Sequence, residues 1–113
     1  MIIKNATVYG ADFEPIKTDI TIENEYITSV EHTDACGEDF SGCAVLPGFI
    51  DVHIHGCNMA DATDGNSDSV AKMSRWLATK GVTSFCPTTM TLPEAFLEEC
   101  FGYVAETIGK EEG

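Results

Sequence analysis

Basic residues are scarce. Lysine and arginine number 6 against 19 aspartates and glutamates, which leaves a formal net charge of −13. A nucleic-acid binder needs a basic footprint, so no nucleic-acid partner is expected. An anionic membrane surface is disfavoured on the same ground. No apolar run approaches the roughly 20 residues of a spanning helix, and the start Met1-Ile2-Ile3-Lys4-Asn5 lacks the apolar stretch of an export signal. No membrane association is expected. The five cysteines, Cys36, Cys43, Cys57, Cys86 and Cys100, form no C-x-x-C pair. An odd, scattered set without an export signal is expected to stay as free thiols in a reducing cytoplasm. The motifs G-x-S-x-G, G-x-x-x-x-G-K-[ST] and G-x-G-x-x-G are also missing, which removes nucleophile-elbow, P-loop and dinucleotide readings.

What is present is an ordinary apolar share, 43% hydrophobic, which excludes a disordered chain. Residues 1 to 46 read as β. Ile2, Ile3 and then Thr7, Val8 and Tyr9 form a short strand. Asp19-Ile20-Thr21-Ile22-Glu23 alternates with period two, Asn24 offers a turn, and Tyr26 to Val30 returns as a hairpin. Residues 33 to 42 read as loop, and Cys43 to Leu46 as a last short strand. Pro47-Gly48 marks a boundary. Beyond it the order is strand (Phe49 to His55), loop (Gly56 to Asn66), helix, strand (Val82 to Cys86), helix. Ser67 is the expected cap of the first helix, whose stripe is Val70, Met73 and Leu77. Thr91 and Glu94 form the expected capping box of the second, whose stripe is Leu97, Cys100, Phe101, Val104 and Ile108. Such alternation implies an α/β fold with parallel strands joined by right-handed crossovers. Two units cannot shield both faces of a sheet, so the chain is expected to be part of something larger or to be completed by another chain.

Chemistry concentrates in Asp51-Val52-His53-Ile54-His55-Gly56. Alternate strand residues share a face, so His53 and His55 project together at the strand's carboxyl end. In open and closed α/β sheets that end carries the active site. Two such imidazoles suit one divalent ion, zinc or iron. Ile50, Val52 and Ile54 are expected to pack outward against helices, with the histidines on a buried strand. Asp51, two residues earlier on the same face, has two readings: an acceptor behind a histidine ligand, or a carboxylate bonded to the backbone. His32 reads as an exposed loop-edge residue outside the site. The carboxylates of Asp61 to Asn66 fail the EF-hand spacing and read first as turn chemistry, with substrate contact as the second reading. Cys57 is a weaker ligand candidate. Thr88 and Thr89, at the end of the second strand, fit either substrate contact or local capping. Trp76 reads as packing.

Val45-Leu46-Pro47-Gly48-Phe49-Ile50-Asp51-Val52-His53-Ile54-His55-Gly56 resembles the first barrel strand of the amidohydrolase superfamily. Gly81-Val82-Thr83-Ser84-Phe85-Cys86-Pro87-Thr88-Thr89-Met90-Thr91 is similar to the second strand of one branch, the N-acetylglucosamine-6-phosphate deacetylases. Ile3 to Ala6 and Ile20 to Asn24 resemble that family's N-terminal β-sandwich. The resemblance implies two parts: residues 1–46, part of a small β-sandwich, and residues 47–113, the first two βα units of a (β/α)8 TIM barrel. The barrel is incomplete here, since a full one takes roughly 250 residues. It implies a metal-dependent amide hydrolase that removes the acetyl group of N-acetylglucosamine 6-phosphate, giving glucosamine 6-phosphate and acetate. His53 and His55 match the family's metal-binding pair, and the partner is a small amino sugar phosphate. The full-length protein is expected to be a homodimer, with phosphate contacts crossing between subunits. The family's other ligands, a glutamate and two histidines, and its catalytic aspartate lie on later strands. No catalytic residue is therefore expected within these 113 residues, and the chain alone is expected to be inactive. The alternatives are another amidohydrolase acting on a cyclic amide or dipeptide, and a non-catalytic module that binds metal or a partner.

Overall fold

The computed structural model describes residues 1–110. The chain divides into two compact units, Met1–Pro47 and Gly48–Gly113. The last three positions of the expected second segment, 111–113, lie outside the described residues.

The first unit is all β. Strands β1 (Ile2–Tyr9), β2 (Pro15–Glu23) and β3 (Tyr26–Ser29) pair antiparallel in sequence order. Asn24 and Glu25 turn the β2–β3 hairpin with φ of 48° and 70°, the left-handed pair that matches the twist of flanking strands. Strand β2 starts four residues before the expected Asp19, because proline is admissible at the first position of a strand. The far edge of β1 pairs in parallel with two short strands, β4 (Glu38–Asp39) at Ile3 and Lys4, and β5 (Ala44–Val45) at Thr7 and Val8. Part of the expected 33–42 loop is thus strand. The register of β1 slips between Ile3 and Ala6, around Asn5 at φ 60°.

Ala6, Thr18, Asp19 and Ile20 form the buried centre of this unit. Asp19 is wholly buried and fully satisfied. It accepts from Lys4 Nζ at 2.8 Å, Asn5 N at 2.8 Å, Thr33 N at 3.0 Å and meets His32 Nδ1 at 2.9 Å. Lys4, then the Asn5 and Thr33 amides, hold its carboxyl well below the usual carboxylate range. His32 is exposed, as expected, but its ring is tied to this carboxylate.

The second unit is α/β. Strand β6 (Phe49–Ile54) leads into a tight hairpin of β7 (Gly56–Cys57) and β8 (Ala60–Asp61), then helix α1 (Ser67–Ala78), strand β9 (Val82–Pro87) and helix α2 (Glu94–Thr107). Strands β6 and β9 are parallel neighbours, as a βαβ crossover requires. The loop expected from Gly56 onward contains the β7–β8 hairpin, turned by Asn58 and Met59 at φ 50° and 59°. Gly48 is obligatory where β6 meets β9, since a Cβ there would stand 2.2 Å from the Thr83 side chain.

Helix α1 buries Val70, Met73 and Leu77, the stripe expected from spacing. Its cap is Asn66 rather than Ser67: the Asn66 side chain accepts from Ser69 N at 2.9 Å, and Ser67 is the first helical residue. Helix α2 also departs from expectation. It starts after Pro93 with no side-chain cap bond, so Thr91 stands outside it. Of its stripe Cys100 is buried, while Phe101 and Ile108 are exposed. Strand β6 is not a buried strand: Ile50 and Val52 are 68% and 74% exposed. The cause is that among the described residues β9 is its one neighbour in the sheet, and α1 packs on β9, β7 and β8.

Candidate metal centre

His53 and His55 sit at the carboxyl end of β6 and on one face, as strand alternation dictates. Their rings are edge-to-face with centroids 5.0 Å apart. Both present Nε2 to the same point, with the two nitrogens 3.3 Å apart. His55 is held from behind: its Nδ1 lies 2.9 Å from the Thr88 carbonyl oxygen. Thr88 in turn donates its own N–H to Ile54 O at 2.8 Å. One residue past the end of β9 thereby grips two consecutive positions at the end of β6. The Thr88 hydroxyl is engaged with Cys86 O at 3.1 Å, the local strand-end bond that was one of its two readings.

Asp51 shares the face, but its carboxylate accepts from the backbone N–H of His53 at 3.1 Å. The partner that orients an imidazole is a main-chain carbonyl one residue past the next strand. No side-chain pattern announces such an acceptor, and reading the sequence missed it. Cys57 carries a thiol pushed up by burial and by the nearby Asp51 charge, which opposes its use as a thiolate ligand. Its Sγ faces Met73 O at 3.9 Å.

The loop after β8 is turn chemistry. Asp61 Oδ1 accepts from Thr63 N at 2.8 Å and from the Thr63 hydroxyl. Asp64 Oδ2 accepts from Asp61 N at 2.9 Å and Ser69 Oγ at 2.7 Å. The Ser69 hydroxyl, then the Asp61 amide, lower the Asp64 carboxyl. Gly56 allows the hairpin to fold back directly behind His55: a Cβ there would meet Ala60 O at 2.4 Å.

The paired nitrogens pass a simple test of fit. Two ligands of a tetrahedral ion at 2.0–2.1 Å stand about 3.3 Å apart, the separation found here. Among the described residues no group of three or more His, Cys, Asp and Glu side chains gathers at one point.

No protein-family model matches the chain. It is 37% identical over 91 residues to the N-acetylglucosamine-6-phosphate deacetylase of Vibrio furnissii, which is 75% of this chain and 22% of that protein. With the enzyme of the same name from Lysinibacillus sphaericus it shares 36% over 95 residues, 80% of this chain and 24% of that protein. The chain aligns with N-acetylglucosamine-6-phosphate deacetylases. It spans 22% to 24% of the length of these curated relatives. The crystal structure of the deacetylase from Thermotoga maritima superposes with a TM-score of 0.79 at 27% identity, over 96% of this chain and 28% of that one. The Mycobacterium smegmatis deacetylase shares the fold, with a TM-score of 0.84 at 18% identity over 99% of this chain and 33% of that one. A dihydroorotase from Listeria monocytogenes is 28% identical over 100 residues, 83% of this chain and 23% of that protein.

Proposed function

We propose that this chain is the portion of an N-acetylglucosamine-6-phosphate deacetylase that supplies two of its metal ligands, His53 and His55. The observation that carries this reading is the 3.3 Å convergence of their Nε2 atoms, within a sequence that aligns with deacetylases by name. The second unit reads as the first two strand–helix pairs of a (β/α)8 barrel, and the first as part of a β-sandwich. The reaction is hydrolysis of the acetamide of N-acetylglucosamine 6-phosphate to glucosamine 6-phosphate and acetate.

A bound divalent ion, zinc or iron, supplies a water of lowered pKa and a polarised carbonyl. The chain's own contribution is positional. Strand β6 aims both imidazoles, Thr88 holds His55, and Asp51 secures the backbone at His53. His53 is exposed, which leaves its side open to an entering ion and to substrate. Only 6 lysines and arginines stand against 19 acidic residues, which fits a homodimer whose substrate phosphate is held by groups outside this chain. All five cysteines are free thiols, which supports a cytoplasmic setting.

The test puts residues 1–113 in place of the matching segment of the Vibrio furnissii deacetylase and follows acetate release from N-acetylglucosamine 6-phosphate. Turnover that falls to background on His53→Ala plus His55→Ala supports the reading. The dihydroorotase likeness favours a second reading, a hydrolase of cyclic amides. A folded chimera that opens dihydroorotate and leaves the acetylated sugar phosphate untouched would replace the first reading with the second.

A further inference from the structure

We infer that the main chain of Thr88 locks the tautomer of His55, so that the two histidines hold opposite tautomers when no ion is bound. The functional meaning of this lock rests on the reading of His53 and His55 as ligands. The lock itself rests on geometry.

A carbonyl oxygen only accepts hydrogen bonds. At 2.9 Å from Thr88 O, His55 Nδ1 must carry the proton. A neutral imidazole has one N–H, so His55 Nε2 is bare. With no ion between the rings, the 3.3 Å contact of the two Nε2 atoms is a hydrogen bond, and with His55 Nε2 bare its donor is His53 Nε2. His53 Nδ1 is bare in consequence. Ligation takes bare Nε2 on both rings. His55 is ready for an ion as it stands. His53 has to move its proton to Nδ1 first, and among the described residues no acceptor holds that nitrogen.

Thr88 is thus a positioning residue through its backbone alone. Its N–H bonds Ile54 O at 2.8 Å and its C=O takes the ring of His55, while its hydroxyl turns to Cys86 O. What matters at this position is the register that places it, where Pro87 stands opposite Ile54 at the end of the β6–β9 ladder. Side-chain identity is secondary.

The test is NMR of ring-labelled ¹⁵N histidine in the full chain, treated with chelator, at a pH where both rings are neutral. His55 is expected to show a protonated Nδ1 and a bare Nε2, and His53 the reverse. Thr88→Ala is expected to leave this pattern unchanged. A second chain carries an ester in place of the amide between Thr88 and Thr89, made by ligating synthetic 86–113 to 1–85 at Cys86. The weaker acceptor is expected to raise the Nε2–H population of His55 and to lower Zn²⁺ affinity about tenfold. A protonated Nε2 on His55 in the unmodified chain overturns the lock, as does a Thr88→Ala effect as large as that of the ester. If the tautomers are as stated but Zn²⁺ shifts neither ring, the lock stands and the ligand reading falls.

Discussion

Buried carboxylates are costly unless every lone pair finds a donor. Asp19 meets that demand by drawing on β1, the end of the β3 hairpin and the loop after it. Its carboxyl is depressed in the folded chain, so its stabilising contribution is complete above the ordinary carboxylate range and is lost as pH falls below it. Urea unfolding at pH 7 and pH 3 checks this: Asp19→Asn should cost stability at both, with a smaller loss at pH 3, where the unfolded carboxyl has begun to take up its proton while the folded one is still ionised. Equal losses at both pH values would contradict the assignment. None of this was legible in the sequence, because the partners of Asp19 lie 13 to 15 positions away. The histidine pair was legible, since period-two alternation alone places His53 and His55 on one face. Their support was not, because Thr88 acts through a carbonyl that every residue owns.

At the scale of elements, apolar spacing identified both helices, while polar capping was misjudged by local detail. Ser67 and Asn66 are both good caps, and only the backbone decides between them: Asn66 is extended at φ −156°, ψ 152° and reaches Ser69 N. Asn66→Ala is expected to cost about 0.5–2 kcal/mol in thermal or urea unfolding. Thr91→Ala should be silent, because α2 begins after Pro93 without a side-chain cap. The β7–β8 hairpin escaped notice because Met59 at φ 59° is a poor turn residue that no composition rule selects. Gly56→Ala is expected to destabilise by roughly 1–3 kcal/mol, as the new methyl drives into Ala60 O behind His55. A comparable melting temperature for that variant would contradict the close approach.

For the molecule as a whole, the apolar residues of the second unit are only partly covered. Phe49, Ile50, Val52, Phe101 and Ile108 are all more than half exposed. Exposed apolar side chains in this number seek cover, so the 113-residue chain is expected to self-associate as its concentration rises. Sedimentation velocity that shows a monomer throughout would contradict this. The chain alone should release no acetate from N-acetylglucosamine 6-phosphate, since two histidines do not complete a catalytic ion site.

The claim beneath the whole account is that the two imidazoles take one cation between them. The most direct measurement is a Zn²⁺ titration followed through the ring nitrogens of each histidine. The account predicts that Nε2 of His53 and Nε2 of His55 shift together and saturate at one equivalent, and that His53→Ala abolishes the response at His55. Independent responses, or an ion taken up by His32 and the cysteines while both strand histidines stay unmoved, would contradict it.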